Sequence, residues 1–169
     1  MDKQKVIRAA LLGFGTVGSG VYLLASRLGD ELVNKTGAAL EISRILVRSM
    51  EKKREGADPS LFTDNWKEIL EDSSIRVVIE LMGGIEPART YVSEALKAGK
   101  HVVTANKDLL AEHGGELLEL ARENGCDLMF EASVAGAVPI VRALKQSLAG
   151  AELTEVAGIV NGTTNYILT

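Results

Sequence analysis

VIRAALLGFGTVG, residues 6–18, joins a mostly apolar run to a turn in which three glycines follow the pattern GxGxxG. The run 6–12 predicts a buried parallel strand, and the apolar residues that recur at helical spacing from Val17 onward predict a helix after the turn. At such a junction the first glycine allows the tight turn, the second lets a pyrophosphate approach the backbone, and the third lets helix and strand pack closely. The stretch predicts a dinucleotide-binding turn, with a tightly packed turn that binds nothing as the alternative. The candidate binding residues are Gly13, Phe14, Gly15, Thr16, Val17 and Gly18.

Strands and helices alternate along the rest of the chain. Further strands are predicted at 40–47, 76–81, 101–104, 128–131 and 156–160. Helices are predicted at 17–34 and 66–70, from near Pro87 to Gly99, before Asn124-Gly125, and at 138–148. Because a strand, helix, strand unit is almost always right-handed, this order predicts a parallel sheet with helices on both faces. The predicted fold class is α/β, a Rossmann-like doubly wound parallel sheet.

The composition is that of a globular domain, and it argues against several classes of partner. The 169 residues are 46% hydrophobic and 25% charged, and 19 Lys and Arg against 23 Asp and Glu give a net charge of -4. A chain without a basic field is not expected to bind nucleic acid or a membrane surface, so we expect a small-molecule partner. The uncharged run 9–26 is interrupted by glycines, whereas a membrane span needs about 20 predominantly apolar residues. A single cysteine, Cys126, favours a reducing compartment, and we expect the cytoplasm.

The end of the second predicted strand bears on the choice of cofactor. A fold that selects NAD usually places Asp or Glu there, roughly 20 residues after the glycine turn, to bind the ribose hydroxyls. This sequence has Arg48 at that point, followed by further cations in the loop 51–54. Arg48 is suited to pairing with a 2′-phosphate, which favours NADP, whereas the loop 51–54 is interpreted as a solvated charged loop. NAD stays open because two acidic residues, Glu51 and Asp58, are near in sequence.

Three predicted strands end in small residues with isolated polar groups. Gly83-Gly84 follows one strand, Asn106-Lys107 the next, and the segment 131–136 the one after. The carboxyl ends of parallel strands are where α/β sheets bind ligands, so we expect the three segments to line one crevice. Taken by itself, Lys107 could equally be a solvated loop charge. Glu80 and Glu131 also lie at strand ends, and because the sequence pairs neither with a second titratable group, we interpret them as structural.

Taken together, these segments resemble the homoserine dehydrogenases of the aspartate pathway to threonine and methionine. The motifs that carry the resemblance are GFGTVG, ELMGG at 80–84, VVTANK at 102–107, FEASVAGAVPI at 130–140 and GIVNGTTNYIL at 158–168. They follow the order of the family and extend over the whole chain. GFGTVG alone would not separate this family from other dehydrogenases, whereas VVTANK together with NGTTNYIL is specific.

The resemblance implies an activity, a set of site residues and an ion. The activity is NAD(P)-dependent interconversion of L-homoserine and L-aspartate 4-semialdehyde, with Lys107 as the catalytic residue near the nicotinamide and the substrate hydroxyl. The resemblance also implies a sodium ion, held mainly by backbone carbonyls of Glu131, Val134, Gly136 and Val138. Besides the glycine turn and Arg48, the implied cofactor-binding residues are Met82, Gly83, Gly84, Asn106 and Lys107.

The sequence departs from this family in length. Members run considerably further, and their downstream part supplies acidic residues for the amino-acid substrate, a second catalytic lysine and most of the dimer interface. By this resemblance, residues 1–135 form the NAD(P)-binding domain, residues 136–169 form the truncated start of the substrate domain, and the full-length protein is a homodimer. We expect the 169 residues alone not to turn over homoserine. Two alternatives stay open: another NAD(P)-dependent dehydrogenase of an aspartate-derived metabolite, and a non-catalytic NAD(P)-sensing module that does not need Lys107.

Overall fold

The computed structural model of the protein describes residues 5–136 and 138–159. Its centre is a six-stranded sheet in which every neighbouring pair of strands is parallel, in the order β3-β2-β1-β4-β5-β6. The strands are β1 Lys5–Leu12, β2 Ala38–Leu46, β3 Phe62–Thr63, β4 Ile75–Glu80, β5 His101–Thr104 and β6 Leu128–Met129. This is the strand order of Rossmann dinucleotide-binding domains, which confirms the predicted fold class.

The helices between the strands are α1 Thr16–Arg27, α2 Gly29–Thr36, α3 Trp66–Leu70, α4 Ala88–Lys97 and α5 Lys107–Glu123. The prediction of a single helix over 17–34 is wrong, because two helices meet there at Leu28. Leu28 leaves the helical conformation, with φ -99° and ψ 16°, and Gly29 after it is a poor helix former. None of the helices that the structure describes is long and apolar enough to cross a membrane.

The second half of the central strand β1, residues 9–12, is buried against both faces of the sheet, because successive side chains of a strand point to opposite faces. Ala10 and Leu12 belong to the core under one face, which also holds buried residues of α3, α4 and α5. Ala9 and Leu11 belong to the core under the other face, where Tyr22 and other residues of α1 pack against it. These four residues have zero exposure. The packing therefore fixes the end of β1 at the point where the glycine turn begins.

Two helices begin at asparagine caps that follow a strand closely. The Asn65 side chain accepts a hydrogen bond from Lys67 N at the start of α3, and the Asn106 side chain accepts one from Leu109 N at the start of α5. Because these signals are local, the predicted helix 66–70 and strand 101–104 agree with α3 and β5. The strand predicted at 128–131 ends early, at Met129, because the chain then enters a short 3₁₀ turn.

Residues 138–159 form little regular structure. The helix predicted over 138–148 is wrong in its bounds, because helical geometry begins at Val141 and continues as a π-helical turn over Ala143–Ser147. The strand predicted over 156–160 is wrong for its described part, since 156–159 form no strand, while Val160 lies outside the described residues. A strand needs a neighbour to pair its backbone groups, and no described strand pairs with 156–159.

Candidate functional site

The glycine turn joins β1 to α1 at the carboxyl edge of the sheet, and its three motif glycines meet different surroundings. Gly13 has a φ of 102°, and a Cβ built on it would lie 3.1 Å from the carbonyl oxygen of Leu81. A Cβ on Gly18 would lie 2.3 Å from the carbonyl oxygen of Gly13, so α1 packs against the turn only with glycine there. Apart from its chain neighbours, no heavy atom of the described residues lies within 4 Å of a Cβ built on Gly15. Gly13 and Gly18 are thus needed for the protein's own turn and helix packing, whereas the space at Gly15 is open to a ligand.

The first turn of α1 offers unpaired backbone donors beside this open space. Gly15 precedes the helix in an extended conformation, no side chain caps the helix, and its first turn contains no acidic residue. The first N–H groups of an α-helix have no partner within the helix, and the helix dipole makes them attractive to an anion. A phosphate at Gly15 would supply the cap that the side chains of this helix do not.

A cleft of about 220 Å³ lies against the start of α1. The cleft brings together three segments that are distant in sequence: the beginning of α1, the loop after β4 and the turn after β5. Pockets that enclose a whole small ligand measure roughly 300–1,000 Å³, so this cleft is of a size to take one portion of a dinucleotide. The residues that line it are Val17, Leu81, Met82, Gly83, Ala105 and Asn106. Four of the predicted cofactor-binding residues are therefore neighbours in space.

A buried hydrogen-bond network connects the loop 82–84 to the turn after β5. Glu80, with zero exposure, accepts hydrogen bonds from Met82 N at 2.7 Å and Gly83 N at 3.3 Å through Oε1, and from the Thr104 hydroxyl at 2.6 Å through Oε2. The Thr104 hydroxyl in turn accepts a hydrogen bond from Asn106 N at 3.0 Å. The interpretation of Glu80 as an unpaired structural residue was incomplete, because its partners lie on a neighbouring strand and in the following loop. An acidic residue in the apolar strand RVVIEL was the only signal of this network in the sequence.

Lys107 is the first residue of α5, directly after the capping residue Asn106. Its side chain is exposed, and among the described residues it has no ion-pair partner. A cation at the N-terminal end of a helix is disfavoured by the helix dipole. Helix stability therefore gives no reason for lysine at this position, which lies at the edge of the sheet beside the cleft.

Arg48 lies at the same edge of the sheet, beyond the end of β2. It is exposed and follows Val47, which is buried and donates its backbone N–H to the carbonyl of Thr63. Because β2 is next to β1 in the sheet, Arg48 stands on the glycine-turn side. Arg48 therefore follows the second strand, the position at which this fold often carries an acidic residue for the ribose.

The interpretation of 51–54 as a solvated charged loop is corrected for Arg54, whose side chain is half-buried and hydrogen-bonded. Its Nη1 donates hydrogen bonds to the carbonyls of Ser49 at 2.9 Å and Lys52 at 2.8 Å, and its guanidinium lies 5.6 Å from the centre of the Phe62 ring. The Phe62 ring packs edge-on against Phe14 of the glycine turn, with 5.1 Å between ring centres. Arg54 therefore folds the loop after Arg48 onto the glycine turn.

The segment predicted to hold sodium is a curled loop after β6. Val134 N donates to the carbonyl of Glu131 at 3.3 Å, and Ala135 adopts a φ of 47°. The carboxylate of Glu131 accepts hydrogen bonds from Val141 N at 3.0 Å and Arg142 N at 2.7 Å, so it caps the helical turn that begins there. Within 5–136 and 138–159 no group of three or more His, Cys, Asp or Glu side chains is placed to hold a metal ion.

Two protein-family models match this chain. The model described as "Homoserine dehydrogenase, NAD binding domain" matches residues 13–131, and the model described as "Homoserine dehydrogenase" matches residues 139–169. The chain belongs to the homoserine dehydrogenase family. The resemblance drawn from the sequence motifs is confirmed, and the chain carries the NAD-binding domain of this family.

Homoserine dehydrogenases of two bacteria align with nearly all of the chain. That of Bacillus subtilis (strain 168) is 49% identical over 167 residues, which are 98% of this chain and 39% of that protein. That of Corynebacterium glutamicum is 51% identical over 159 residues, which are 94% of this chain and 36% of that protein. The chain therefore spans between 36% and 39% of the length of these curated relatives.

Solved structures of homoserine dehydrogenases share the fold. The crystal structure of a homoserine dehydrogenase from Thiobacillus denitrificans superposes with a TM-score of 0.88 at 41% identity, covering 97% of this chain and 38% of that chain. A hyperthermophilic archaeal homoserine dehydrogenase in complex with NADPH superposes with a TM-score of 0.69 at 27% identity, covering 86% of this chain and 50% of that chain. The family's NAD-binding domain and this NADPH complex support a nicotinamide cofactor for the fold seen here.

Proposed function

We propose that this chain is the cofactor-binding portion of an enzyme that interconverts L-homoserine and L-aspartate 4-semialdehyde with NADP. The observation that carries the proposal is the convergence of three elements at one cleft: the glycine turn, the loop 82–84 and the turn that leads to Lys107. Membership of the homoserine dehydrogenase family supports this choice of reaction. The domain division at 135/136, a homodimeric full-length protein and a cytoplasmic location are parts of the same proposal.

In this proposal the glycine turn holds the pyrophosphate and Arg48 holds the 2′-phosphate. The open space at Gly15 and the uncapped N-terminus of α1 suit the first group. The exposed guanidinium of Arg48 suits the second, because a guanidinium matches phosphate geometry with two parallel hydrogen bonds. Met82, Gly83 and Asn106 would line the nicotinamide portion. Arg54 would contribute indirectly, since its guanidinium is engaged in folding the loop after Arg48.

Lys107 would handle the proton of the substrate hydroxyl. When bound, the cofactor supplies an acceptor for the hydride that leaves the alcohol carbon of homoserine. The hydroxyl proton must leave in the same reaction: Lys107 would either accept it as an amine, or, as an ammonium, stabilise the developing alkoxide while a water molecule takes the proton. The loop after β6 would hold sodium through the carbonyls of Glu131, Val134, Gly136 and Val138. Carbonyl oxygens are ligands of the kind that hard cations prefer, and the ion would order this loop at the junction with the substrate domain.

A chimera tests the assignment of Lys107: this chain is joined to the part of the Bacillus subtilis relative that it does not span. We expect the chimera to oxidise homoserine and Lys107→Ala to lower its turnover by roughly 10²–10⁴-fold, with NADPH affinity close to the parental value. Lys97→Ala, at the end of α4, is the matched control for loss of an exposed lysine and should leave turnover unchanged.

Three outcomes would contradict the proposal. A Lys107→Ala chimera that works at the parental rate would remove Lys107 from the chemistry. Homoserine oxidation by the 169 residues alone would show that the substrate domain is not needed. NADPH binding without turnover in a folded chimera would favour the cofactor-sensing alternative.

A further inference from the structure

We propose that Glu80 is a positioning residue, which holds the loop 82–84 and the turn before Lys107 in one arrangement for the cofactor. The proposal rests on the proposed function, since it assigns a role within the same site. Glu80 touches neither the cleft nor Lys107, and it acts through Met82, Gly83 and Thr104.

The stability of the fold does not explain why a glutamate is buried at position 80. Its side chain is fully buried at the end of an apolar strand, and among the described residues it forms no salt bridge. Burying a carboxyl group without a cation partner is costly, and an apolar residue of similar size usually packs as well or better. The hydrogen bonds that Glu80 accepts offset this cost, and all of them go to the segments on either side of the cleft.

The loop 82–84 is held from both ends. Glu80 accepts hydrogen bonds from the backbone N–H groups of Met82 and Gly83, and the Asn106 side chain donates to the carbonyl of Gly84 at 2.6 Å. Gly83 and Gly84 have φ values of 71° and 72°, a left-handed conformation that glycine adopts as one of several. Hydrogen bonds from outside the loop are therefore what select this conformation.

The turn after β5 has a counterpart elsewhere in the chain that needs no carboxylate. At the end of β3 the Thr63 hydroxyl accepts a hydrogen bond from Asn65 N at 3.0 Å, and Asn65 caps α3, just as Thr104 and Asn106 do before α5. In the described structure the Thr63 hydroxyl has no carboxylate partner. Since this turn forms without one, the bond from Thr104 to Glu80 has another purpose, which we assign to linking the turn with the loop 82–84.

Glutamine at position 80 would keep the volume and break the network. An amide has one oxygen that accepts and one nitrogen that donates, whereas all the partners of Glu80 are donors. If the amide oxygen meets the loop, the amide nitrogen faces the Thr104 hydroxyl, whose proton then has no acceptor. In this orientation Glu80→Gln keeps both contacts but leaves the Thr104 proton unpaired, whereas with the amide reversed an N–H group of the side chain faces the N–H groups of the loop.

The experiment measures NADPH affinity and backbone amide hydrogen exchange in the folded chain. Glu80→Gln and Thr104→Val should each weaken NADPH binding on the order of tenfold. Because both substitutions affect the same hydrogen bond, the double variant should bind NADPH no more weakly than the more strongly affected single variant. Amide exchange at Met82 and Gly83 should become faster in Glu80→Gln, because an amide oxygen is a weaker acceptor than a carboxylate oxygen and the reversed amide offers the loop no acceptor. Two variants serve as controls. Thr63→Val removes the hydroxyl of the matching turn after β3. Glu94→Gln changes a carboxylate that accepts a hydrogen bond from the Trp66 indole, away from the cleft. Both controls should bind NADPH as the parent does.

The possible results distinguish failure of the role assigned to Glu80 from failure of the proposed function. Parental NADPH affinity together with slow exchange at Met82 and Gly83 in Glu80→Gln would overturn the role of Glu80. If Glu94→Gln lost as much NADPH affinity as Glu80→Gln, Glu80 would contribute only to general stability, and its positioning role would also be overturned. If Glu80→Gln fails to fold, Thr104→Val against Thr63→Val tests the same link. If the parent does not bind NADPH, the proposed function fails, and the exchange rates alone then decide whether Glu80 orders the loop.

Discussion

Replacing Gly18 by alanine tests whether the glycine turn is built as described. The new Cβ would lie 2.3 Å from the carbonyl oxygen of Gly13, whereas ordinary contacts of a Cβ begin at 3.4 Å. Both atoms belong to or are fixed by the backbone, so no rotamer change relieves the overlap. The start of α1 must move away from the turn by about an ångström, against the packing of α1 on the sheet.

The size of the effect follows from two opposing contributions. Overpacking of a well-packed site costs about 1–3 kcal/mol, and the rigid contact places Gly18→Ala in the upper part of that range. Alanine favours the helix over glycine by about 1 kcal/mol, which leaves a net loss of about 1–2 kcal/mol. For a domain of this size each kcal/mol lowers the melting temperature by roughly 2–4 °C, so the expected fall is roughly 2–8 °C.

Thermal melts followed by circular dichroism measure this fall, with Gly20→Ala as the matched control. Gly20 lies in the same helix and is exposed, and no heavy atom lies within 4 Å of its Cβ position. Only the gain in helix propensity applies there, so Gly20→Ala should melt at or slightly above the parental temperature. A Gly18→Ala chain that melts at or above the parent, or a Gly20→Ala chain that loses as much, would refute the close packing of α1 on the turn.

Two further predictions concern cofactor choice and pH. Arg48→Ala should weaken binding of NADPH by roughly 10–100-fold and that of NADH by much less, because a charge-assisted bond to the 2′-phosphate is lost only with NADPH. Fluorescence titrations measure both affinities, with Lys53→Ala as the control. Equal losses for the two cofactors would exclude the assignment of Arg48 to the 2′-phosphate. Lys100, which is buried and donates to the carbonyls of Asp72 and Ile75, has its pKa lowered below the ordinary value of 10.5 by desolvation. At pH values between that lowered pKa and 10.5, the unfolded chain binds more protons than the folded chain. The unfolding free energy of the parent, measured by urea titration, should therefore rise relative to that of Lys100→Met as the pH increases. A difference between the two that does not change with pH would contradict this.

The sequence predicted the parts of the fold that are determined by neighbouring residues. The strand, glycine turn and helix around 6–18 follow from one local pattern, and the caps at Asn65 and Asn106 mark where their helices begin. The parallel order of the sheet follows from the alternation of strands and helices. The same local reasoning placed Gly83 and Asn106 at one edge, where the structure brings them together at the cleft.

Features that depend on distant residues were not predictable in this way. Glu80 and Thr104 are paired in register on neighbouring strands but are 24 residues apart in sequence, so their hydrogen bond leaves no local pattern. Arg54 reads as a loop charge until Phe62 and the carbonyl of Ser49 are placed around it. The strand β3 has two residues, too few to show alternation, and exists because it pairs with β2. The predicted strand at 156–160 has the apolar composition of a strand, yet 156–159 have no paired neighbour among the described residues.

Titration of NADPH into the 169-residue chain and into its Gly15→Val variant tests the central claim most directly. The position of Gly15 has an extended backbone that any residue adopts and free space around its Cβ, so the variant should fold and melt as the parent does. We predict that the parent binds NADPH and that Gly15→Val weakens binding by at least roughly tenfold, because the side chain occupies the place of the pyrophosphate. Unchanged affinity in the folded variant, or no NADPH binding by the parent, would contradict the account.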